Sequence, residues 1–351
     1  MTKTNAGNFF EDFRLGQEIH HATPRTVTSG EQALYTGLYG SRFAFNSSDE
    51  FARKLGLERA PVDDLLAFHV VFGKTVPDIS LNAVANLGYA DGVFGVPVKP
   101  GDTLRSVSKV IGLKENSNKQ TGVVYVRSTG FNQRDEVVLD YVRWVMVKKR
   151  DVAAPAPEEV VPTLPDAVPV SALKIPEGLT LGAYDDVLAG SSHFWEDYAV
   201  GEKIDHVDGF TIEEAEHMLA TRLYQNTAKV HFNQFTEGKS RFGRRLIYGG
   251  HIISLARSLS FNGLGNAFKL VAINGGRHTN PTFAGDTIHA WTEVLGKEEI
   301  PGRADLGALR LRLVATKDKA CADFPFKTDP KTYDPQVVLD FDYTVLLPRR
   351  I

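Results

Sequence analysis

One histidine of this chain stands where an imidazole could transfer protons during a reaction. His231 ends a block, residues 193–231, that repeats residues 8–46 without a gap, and in the earlier block the same position is Asn46. An imidazole titrates close to neutral pH and suits proton transfer, whereas an amide does not titrate there. We therefore predict that the second block carries the chemistry and the first supports it.

The two blocks are related by a constant offset of 185 positions, from residue 8 to residue 193. NFFEDFRLGQEI (8–19) aligns with HFWEDYAVGEKI (193–204), and identical residues recur at four further pairs: Thr26 and Thr211, Glu31 and Glu216, Leu38 and Leu223, Tyr39 and Tyr224. The repeat resumes later, where PGDTL (100–104) matches AGDTI (284–288) and VVLDYVRWVMV (137–147) matches VVLDFDYTVLL (337–347). The chain is a duplicated domain, with an insertion predicted at Lys319–Gln336 in the second copy.

Composition predicts a two-domain globular protein. The 351 residues exceed what one hydrophobic core usually organises, and 42% are hydrophobic and 24% charged. The net charge of −3 offers no general attraction to nucleic acid or an anionic membrane. The single cysteine, Cys321, and an N-terminus without an apolar stretch favour a cytoplasmic setting. We also expect no membrane span.

The repeat and a change of composition predict the domain boundaries. Six prolines fall within residues 151–189, which we interpret as a stiff, extended linker that packs on the surface of both copies. We expect one domain over residues 1–150, with a degenerate site, and another over residues 190–351, with the catalytic motif.

Each copy shows one apolar helix followed by three alternating strands. Helical spacing of apolar residues predicts central helices at Asp63–Thr75 and Gly249–Ser260. Period-two alternation predicts the strands Thr103–Leu113, Gly122–Thr129 and Val137–Val147, and then Thr287–Leu295, Ala308–Thr316 and Val337–Leu347. The pattern predicts an α+β protein with a tandem hot-dog fold, in which a curved antiparallel sheet wraps a central helix twice.

The sequence resembles the MaoC-like hydratases and dehydratases, which act on acyl-CoA thioesters. The G-D-T turns carry part of that resemblance, and longer stretches such as FFEDFRLGQEIHHATPRTV and PVDDLLAFHVVFGKTVPDISLNAVANLGYADG resemble the mesaconyl-CoA hydratase (β-methylmalyl-CoA dehydratase) branch. The resemblance spans nearly the whole chain outside the linker. It implies a hydro-lyase that adds water reversibly to mesaconyl-CoA and needs no cofactor. We also expect a homodimer, because the outer face of a duplicated hot-dog unit commonly pairs again.

The resemblance also assigns catalytic positions. Hydratases of this superfamily carry an aspartate and, five residues later, a histidine, and here those positions are Asn226 and His231. We favour His231 as the acid–base group, with Asn226 orienting the water. Two alternatives stay open: a carboxylate elsewhere (Glu237, Asp63 or Asp64), or a different alignment. A buried core histidine is the non-catalytic interpretation of His231.

The start of the second central helix is the predicted oxyanion site. Backbone N–H groups at a helix N-terminus stabilise the enolate-like charge that forms on a thioester carbonyl, and Gly249 and Gly250 leave room for it. Their alternative role is tight packing of helix on sheet. We interpret the next residue, His251, as structural.

A dicarboxylyl-CoA substrate also requires a cation for its free carboxylate. The candidates are Arg244 and Arg245 before the second helix, Arg277 before the second G-D-T turn, and Arg42 on the degenerate loop of the first copy. For Arg244 and Arg245 the alternatives are a solvated rim or a contact with the CoA phosphates.

Other kinds of site are not indicated. Asp102 and Asp286 of the G-D-T turns occur in both copies, which favours a turn role over paired catalytic carboxylates. No metal-ligand spacing, phosphate-binding loop or basic-aromatic stripe for nucleic acid occurs. The competing functions are a hot-dog acyl-CoA thioesterase, an R-specific hydratase of another acyl chain, and an acyl-CoA binding protein with a decayed site.

Overall fold

The computed structural model describes residues 3–350, which form one ten-stranded antiparallel sheet with five strands from each copy. The strands of the first copy are β1 (Glu18–Thr26), β2 (Ala83–Phe94), β3 (Thr103–Glu115), β4 (Thr121–Phe131) and β5 (Val137–Lys148). Those of the second are β6 (Lys203–Thr211), β7 (Lys269–His278), β8 (Thr287–Ile300), β9 (Arg303–Lys317) and β12 (Val337–Pro348), with a small hairpin of β10 (Lys327–Asp329) and β11 (Thr332–Tyr333). Across the sheet the order is β1-β3-β4-β5-β2-β7-β12-β9-β8-β6.

The helices repeat in the same way. The first copy has α1 (Ser29–Tyr39), α2 (Ala44–Ser47), α3 (Asp49–Lys54) and α4 (Asp64–Thr75), and the linker has α5 (Asp186–Ala189). The second copy has α6 (Glu214–Leu223), α7 (Lys229–Phe232), α8 (Gln234–Glu237), α9 (Gly249–Leu259) and α10 (Phe261–Leu264). The central helices are α4, all 12 residues of which are buried, and α9. The predicted tandem hot-dog fold is confirmed.

A pseudo-twofold axis passes through the seam between β2 and β7. Ala90 of β2 pairs with Gly275 of β7, and the offset of 185 makes these two residues equivalent in the repeat. The axis therefore runs through this pair. Deeper along the axis, the hydroxyl oxygens of Tyr39 and its counterpart Tyr224 are 2.7 Å apart. The two halves therefore meet as the subunits of a symmetric dimer would.

Four strands of the large sheet and all helices other than α4 and α9 escaped sequence prediction. The sequence pattern predicted no strand or helix before the central helix of each copy, but β1 with α1, and β6 with α6, lie there. The outer strand β1 alternates weakly, because most of its side chains are exposed. The seam strands β2 and β7 contain glycines that favour turns in isolation, yet here they allow two halves to approach.

The G-D-T turns and the insertion match their predicted roles. The carboxylates of Asp102 and Asp286 accept the backbone N–H of Lys99 (2.8 Å) and Phe283 (2.9 Å) within their own turns. The neighbouring Gly101 has a φ of 105°. A turn role is therefore confirmed, and the predicted insertion forms the β10–β11 hairpin between β9 and β12.

The linker packs on both copies. Val160 pairs with Leu113 of β3, and the backbone N–H of Val168 donates to Asn274 of β7. Further on, the Tyr184 hydroxyl donates to Asn266. This segment therefore runs along the sheet from the first copy to the second.

A buried ion pair joins α4 of the first copy to β7 of the second. The Nζ of Lys269 lies 2.6 Å from Oδ1 of Asp64, and the backbone N–H of Leu270 donates to Oδ2. Both charges are shielded, with side-chain exposures of 1% and 11%. Loss of one partner leaves the other charge buried without compensation, which is strongly destabilising.

We therefore expect Asp64→Asn to lower the free energy of unfolding by about 3–5 kcal/mol, because Lys269 loses its counter-ion. Urea denaturation followed by circular dichroism measures the change. The matched control is Glu58→Gln, which removes an exposed ion pair with Lys99 and should have little effect. Equal stability of the two variants would contradict this assignment.

Candidate active site

His231 lies on the short helix α7, directly after the α6–α7 loop, and is held in one defined orientation. Its Nδ1 lies 3.0 Å from the backbone carbonyl of Leu246, which can only accept, so Nδ1 carries the proton. The Nε2 atom of the neutral ring is then a lone-pair acceptor. Among residues 3–350 it has no hydrogen-bond partner.

Burial keeps this imidazole neutral. Desolvation lowers the pKa of His231 to about 4, and the hydrogen bond to Leu246 opposes that shift only in part. The ring packs edge-on against Tyr248, with 5.5 Å between ring centroids. At neutral pH His231 is therefore a base with a fixed, available nitrogen.

Asn226 is buried beside the same loop, with 5% of its surface exposed. Its Oδ1 accepts the backbone N–H of Ala228 (3.0 Å), while its Nδ2 has no acceptor within the described part of the chain. Asn226 helps to line a cavity of about 430 Å³, whose other residues are Met218, Thr221, Arg222, Gln225, Thr227 and Phe232. The amide can therefore donate a hydrogen bond to a bound molecule.

The first copy keeps the architecture of this loop but not its chemistry. Asn46 donates through Nδ2 to the Pro61 carbonyl (3.3 Å), which is the counterpart of the bond from His231 to Leu246. The position of Asn226 is taken by Ser41. An amide thus preserves the structural contact of the imidazole without its free nitrogen.

The N-termini of the two central helices also differ: a side chain caps the first helix, and none caps the second. In the first copy the Asp63 side chain caps α4 by accepting the N–H of Leu65 (2.9 Å). In the second copy that position is Tyr248, which provides no cap. The backbone N–H groups of Gly249 and Gly250 have no acceptor among residues 3–350. Two aligned donors are therefore available at the positive end of the α9 dipole.

His278, which the sequence pattern did not single out, lies against this helix end. The ring packs on Gly249 so closely that a Cβ there would overlap it. Its Nε2 is 3.3 Å from the Tyr89 hydroxyl, which comes from the other copy. Burial, and then the proximity of His231, lower the pKa of His278 to about 4. Its counterpart in the first copy, at the offset of 185, is Val93, so the repeat asymmetry that singled out His231 could have found it.

The three alternative carboxylates do not adjoin His231. Asp64 binds Lys269, and Asp63 caps α4 in the first copy, where burial and then Asp64 raise its pKa to about 6. Glu237 lies on α8, and nothing within residues 3–350 hydrogen-bonds to its carboxylate. None of these groups is seen to take the place of an aspartate at position 226.

The four predicted arginines do not converge on the loop. Arg244 is exposed and stacks on Phe283 (3.8 Å), and Arg42 stacks on Phe261 beside a separate cavity of about 310 Å³. Arg277 is exposed, because it neighbours His278 on a strand and so faces the opposite side of the sheet.

Arg245 lies nearer to His231. It pairs with Glu214 (3.0 Å), and its charge contributes, after burial and two neighbouring histidines, to the lowered pKa of His217. The His217 ring centroid is 6.2 Å from that of His231.

Three further histidines form hydrogen bonds that connect the helices around this site. His251 binds the Tyr39 hydroxyl through Nδ1 (2.9 Å) and is fully buried, in agreement with the structural role predicted for it. His217 accepts the backbone N–H of Tyr248 (2.8 Å), which fixes the residue before Gly249. His69 contacts Ser254, its counterpart across the axis, at 2.8 Å.

Two further kinds of feature are absent from the described residues 3–350. No group of three or more His, Cys, Asp or Glu side chains there is arranged to hold a metal ion. No helix in that range is both long and apolar enough to cross a membrane.

Comparison with characterised proteins identifies relatives over the full length. The chain is 70% identical over 348 residues to the β-methylmalyl-CoA dehydratase of Chloroflexus aurantiacus, with 99% of each chain covered. It is 64% identical over 349 residues to the mesaconyl-CoA hydratase of Cereibacter sphaeroides, covering 99% of this chain and 100% of that one.

Solved structures agree with the fold. A MaoC domain dehydratase from Chloroflexus aurantiacus is 69% identical and superimposes with a TM-score of 0.98 over 100% of both chains. A Mycobacterium tuberculosis protein described as having a double hot-dog fold is 23% identical, with a TM-score of 0.74 over 98% of this chain and 99% of that one. Residues 1–324 match the mesaconyl-CoA hydratase family, and the chain belongs to that family.

Proposed function

We propose that this protein is a hydro-lyase that reversibly adds water to mesaconyl-CoA to give β-methylmalyl-CoA. The observation that carries the proposal is the pairing, in the second copy alone, of a neutral His231 with the uncapped N-terminus of α9. The names of the full-length relatives supply the substrate.

Water would be activated in the loop. The free Nε2 of His231 accepts a proton from the attacking water, and the free Nδ2 of Asn226 donates to the water oxygen and orients it. Since Oδ1 of Asn226 already accepts from Ala228, the amide cannot rotate without losing that bond. Asn226 therefore acts as a positioning group and does not replace the base.

The thioester carbonyl would lie at the start of α9. The N–H groups of Gly249 and Gly250 are fixed and dipole-aligned, so they stabilise the enolate oxygen more strongly than the ground-state carbonyl. The neutral His278 ring packs on Gly249 and can donate a further hydrogen bond there. A neutral imidazole at a helix N-terminus can polarise a carbonyl without giving up its proton.

The proton balance closes with one base. As the water oxygen bonds to the β-carbon, its O–H bond breaks and the proton moves to His231. The electrons of the carbon–carbon double bond pass into the enolate. His231 then returns the proton to the α-carbon, which regenerates the neutral ring. Coenzyme A is part of the substrate, so this sequence needs no cofactor.

Two predictions extend beyond the reaction itself. We propose a homodimer, because a fused pair of hot-dog domains has outer faces that can pair again, and a cytoplasmic location, in line with the single cysteine. The thioesterase remains the alternative chemistry, because the same oxyanion donors would also serve attack of water at the thioester carbonyl.

The first prediction concerns the reaction. Purified protein mixed with mesaconyl-CoA should remove the absorbance of the conjugated thioester without releasing free thiol. The variant His231→Gln should lower kcat by about 100-fold or more, because it removes the proton acceptor but keeps a hydrogen-bonding side chain. Both signals can be recorded in one sample with a thiol reagent.

The control for His231→Gln is Asn46→Gln, at the equivalent position of the first copy, which should leave kcat nearly unchanged in the folded protein. Thiol release by the wild type would move the protein to the thioesterases. Unchanged turnover by His231→Gln would remove the assigned base.

The second prediction concerns the oxyanion site. In Gly249→Ala the new methyl group overlaps the His278 ring and displaces it from the helix end. We expect kcat to fall by about 10²–10³-fold, the cost of losing oxyanion donors, with KM changed less. Steady-state kinetics measures both constants.

The matched control is Gly37→Ala on the exposed face of α1, where a Cβ meets no atom within 4 Å. This variant should retain full activity and gain slightly in stability from helix propensity. Loss of activity in both variants to the same extent would argue against a specific role for Gly249.

The third prediction concerns pH. Because the pKa of His231 is about 4, its basic form is complete well below neutral pH, so kcat/KM for hydration should stay flat from pH 8 to about 5.5. An inflection near pH 6.5, the value of an unperturbed histidine, would contradict the assignment.

Stability must be followed in parallel, because it responds to the same groups. The folded-state pKa values of His231 and His278 lie below the unfolded value, so the unfolded chain binds protons first. Stability is therefore full above about pH 6.5 and declines as the pH falls toward 4. Melting temperatures at each pH define the range in which the rates refer to folded protein.

A further inference from the structure

A fully buried arginine on the sheet has no carboxylate partner. Arg143 of β5 has 0% of its surface exposed, and its guanidinium lies over the Phe72 ring at 4.3 Å. Its polar contacts are the hydroxyls of Thr75 (2.8 Å) and Ser80 (3.4 and 3.5 Å). Its Nε makes no hydrogen bond with any residue of the range 3–350.

Other buried cations show what the fold supplies elsewhere. Lys269 binds Asp64 at 2.6 Å and Lys149 binds Glu115 at 2.7 Å. A buried charge without an opposite charge is costly. Arg257 and Lys74 are also buried without a carboxylate, but they hydrogen-bond to Ser260, Ala267 and Gln225, whereas Nε of Arg143 has no partner among residues 3–350. Arg143 thus has the character of a binding group that awaits an anion.

Two short chains of contacts connect Arg143 to the proposed site. Tyr89 on β2 lies directly opposite Arg143 in the strand register, and its hydroxyl reaches His278, which packs on Gly249. On the other side, the Phe72 ring beneath Arg143 is 5.7 Å from the Tyr248 ring, which in turn is 5.5 Å from His231. The guanidinium is therefore separated from His278 by one side chain, Tyr89, and from His231 by two, Phe72 and Tyr248.

We propose that Arg143 binds the free carboxylate of the dicarboxylyl-CoA substrate and so selects it over monocarboxylic acyl-CoA thioesters. This inference rests on the proposed function. The free carboxylate is separated from the thioester carbonyl by only the two carbons of the double bond, so its partner must lie close to the oxyanion donors. Nε and one Nη of a guanidinium can donate hydrogen bonds to both carboxylate oxygens at once.

A second donor lies beside Arg143. Tyr141 is two residues earlier on β5, so its side chain faces the same side of the sheet. Its buried hydroxyl lies near the hydroxyls of Ser128 and Thr75 but forms no hydrogen bond of good geometry with the described residues. A carboxylate held by Arg143 would be within reach of this second donor on the same strand.

Both copies place a buried arginine here, but on different elements: Phe72 of α4 corresponds to Arg257 of α9, whose guanidinium lies 5.9 Å from the Tyr343 ring. Of these two arginines, only Arg143 has an Nε without a hydrogen bond among residues 3–350. In the aligned last strands, VVLDYVRWVMV and VVLDFDYTVLL, Arg143 corresponds to Tyr343. The first copy would therefore supply the carboxylate-binding arginine, while the second supplies His231 and the open helix end. One complete site would draw on both halves.

Binding of two unreactive analogues tests the inference without depending on turnover. Succinyl-CoA and butyryl-CoA differ in a terminal carboxylate against a methyl group, and calorimetry gives the dissociation constant of each. We expect the wild type to prefer succinyl-CoA and Arg143→Met to lose that preference, weakening succinyl-CoA binding by about 100-fold while butyryl-CoA binding is unchanged or tighter. Arg143→Lys keeps the positive charge but loses the paired donors of the guanidinium. Its preference for succinyl-CoA should therefore lie between those of the wild type and Arg143→Met.

Two measurements separate recognition from a structural role. Because Arg143 has no carboxylate partner in the fold, Arg143→Met should melt at the same or a higher temperature than the wild type. The control Arg257→Met removes another buried arginine, which stacks on Phe43 (3.8 Å), and should leave the ratio of the two dissociation constants unchanged.

An unchanged ratio in both Arg143 variants would overturn the inference, even if the wild type hydrates mesaconyl-CoA. A wild type that does not hydrate mesaconyl-CoA would instead overturn the proposed function, whatever the analogues show. If Arg143→Met fails to fold, the ratio measured with Arg143→Lys decides the question.

Discussion

The pairing of β2 with β7 is the contact on which the rest of the molecule depends. It joins two five-stranded sheets into one, and it brings α4 and α9 side by side around the axis through Ala90 and Gly275. Tyr89 reaches His278 only because these strands are neighbours. The ion pair between Asp64 and Lys269 closes the same junction from the helix side. The pairing of β2 with β7 therefore contributes both to the stability of the fold and to the assembly of the site.

Duplication allowed the two halves to specialise in opposite directions. In the first copy Asp63 caps the central helix and Asn46 hydrogen-bonds within its loop, so the polar groups at these two places are satisfied internally. The second leaves Nε2 of His231 and two N–H groups of α9 unsatisfied. Unpartnered buried polar groups cost stability, which the closed half and the long shared sheet can offset. A homodimer of identical chains could not divide the roles in this way.

The sequence predicted the elements whose pattern is strong. The helices at Asp63–Thr75 and Gly249–Ser260 and six strands were correct to within a few residues, because buried helices and half-buried strands have clear periodicity. Gly-rich seam strands and exposed outer strands carry no such signal, and they were missed. For the site, repeat asymmetry identified His231. The same comparison could have found His278, whose counterpart is Val93. It did not lead to Arg143, because neighbours across a sheet are set by strand order and register, which sequence spacing does not encode.

The seam also has a consequence for synthesis. Until β7 exists, the backbone groups along one side of β2 have no strand to pair with, and such an edge invites association with other chains. Some 180 residues separate Phe94 from His278, and at about 5–20 residues per second the ribosome needs roughly 10–40 s to make them. The glycines of β2 and its irregular pairing make this edge a poor template during that interval. The same residues that hide the strand from prediction would also protect the nascent chain.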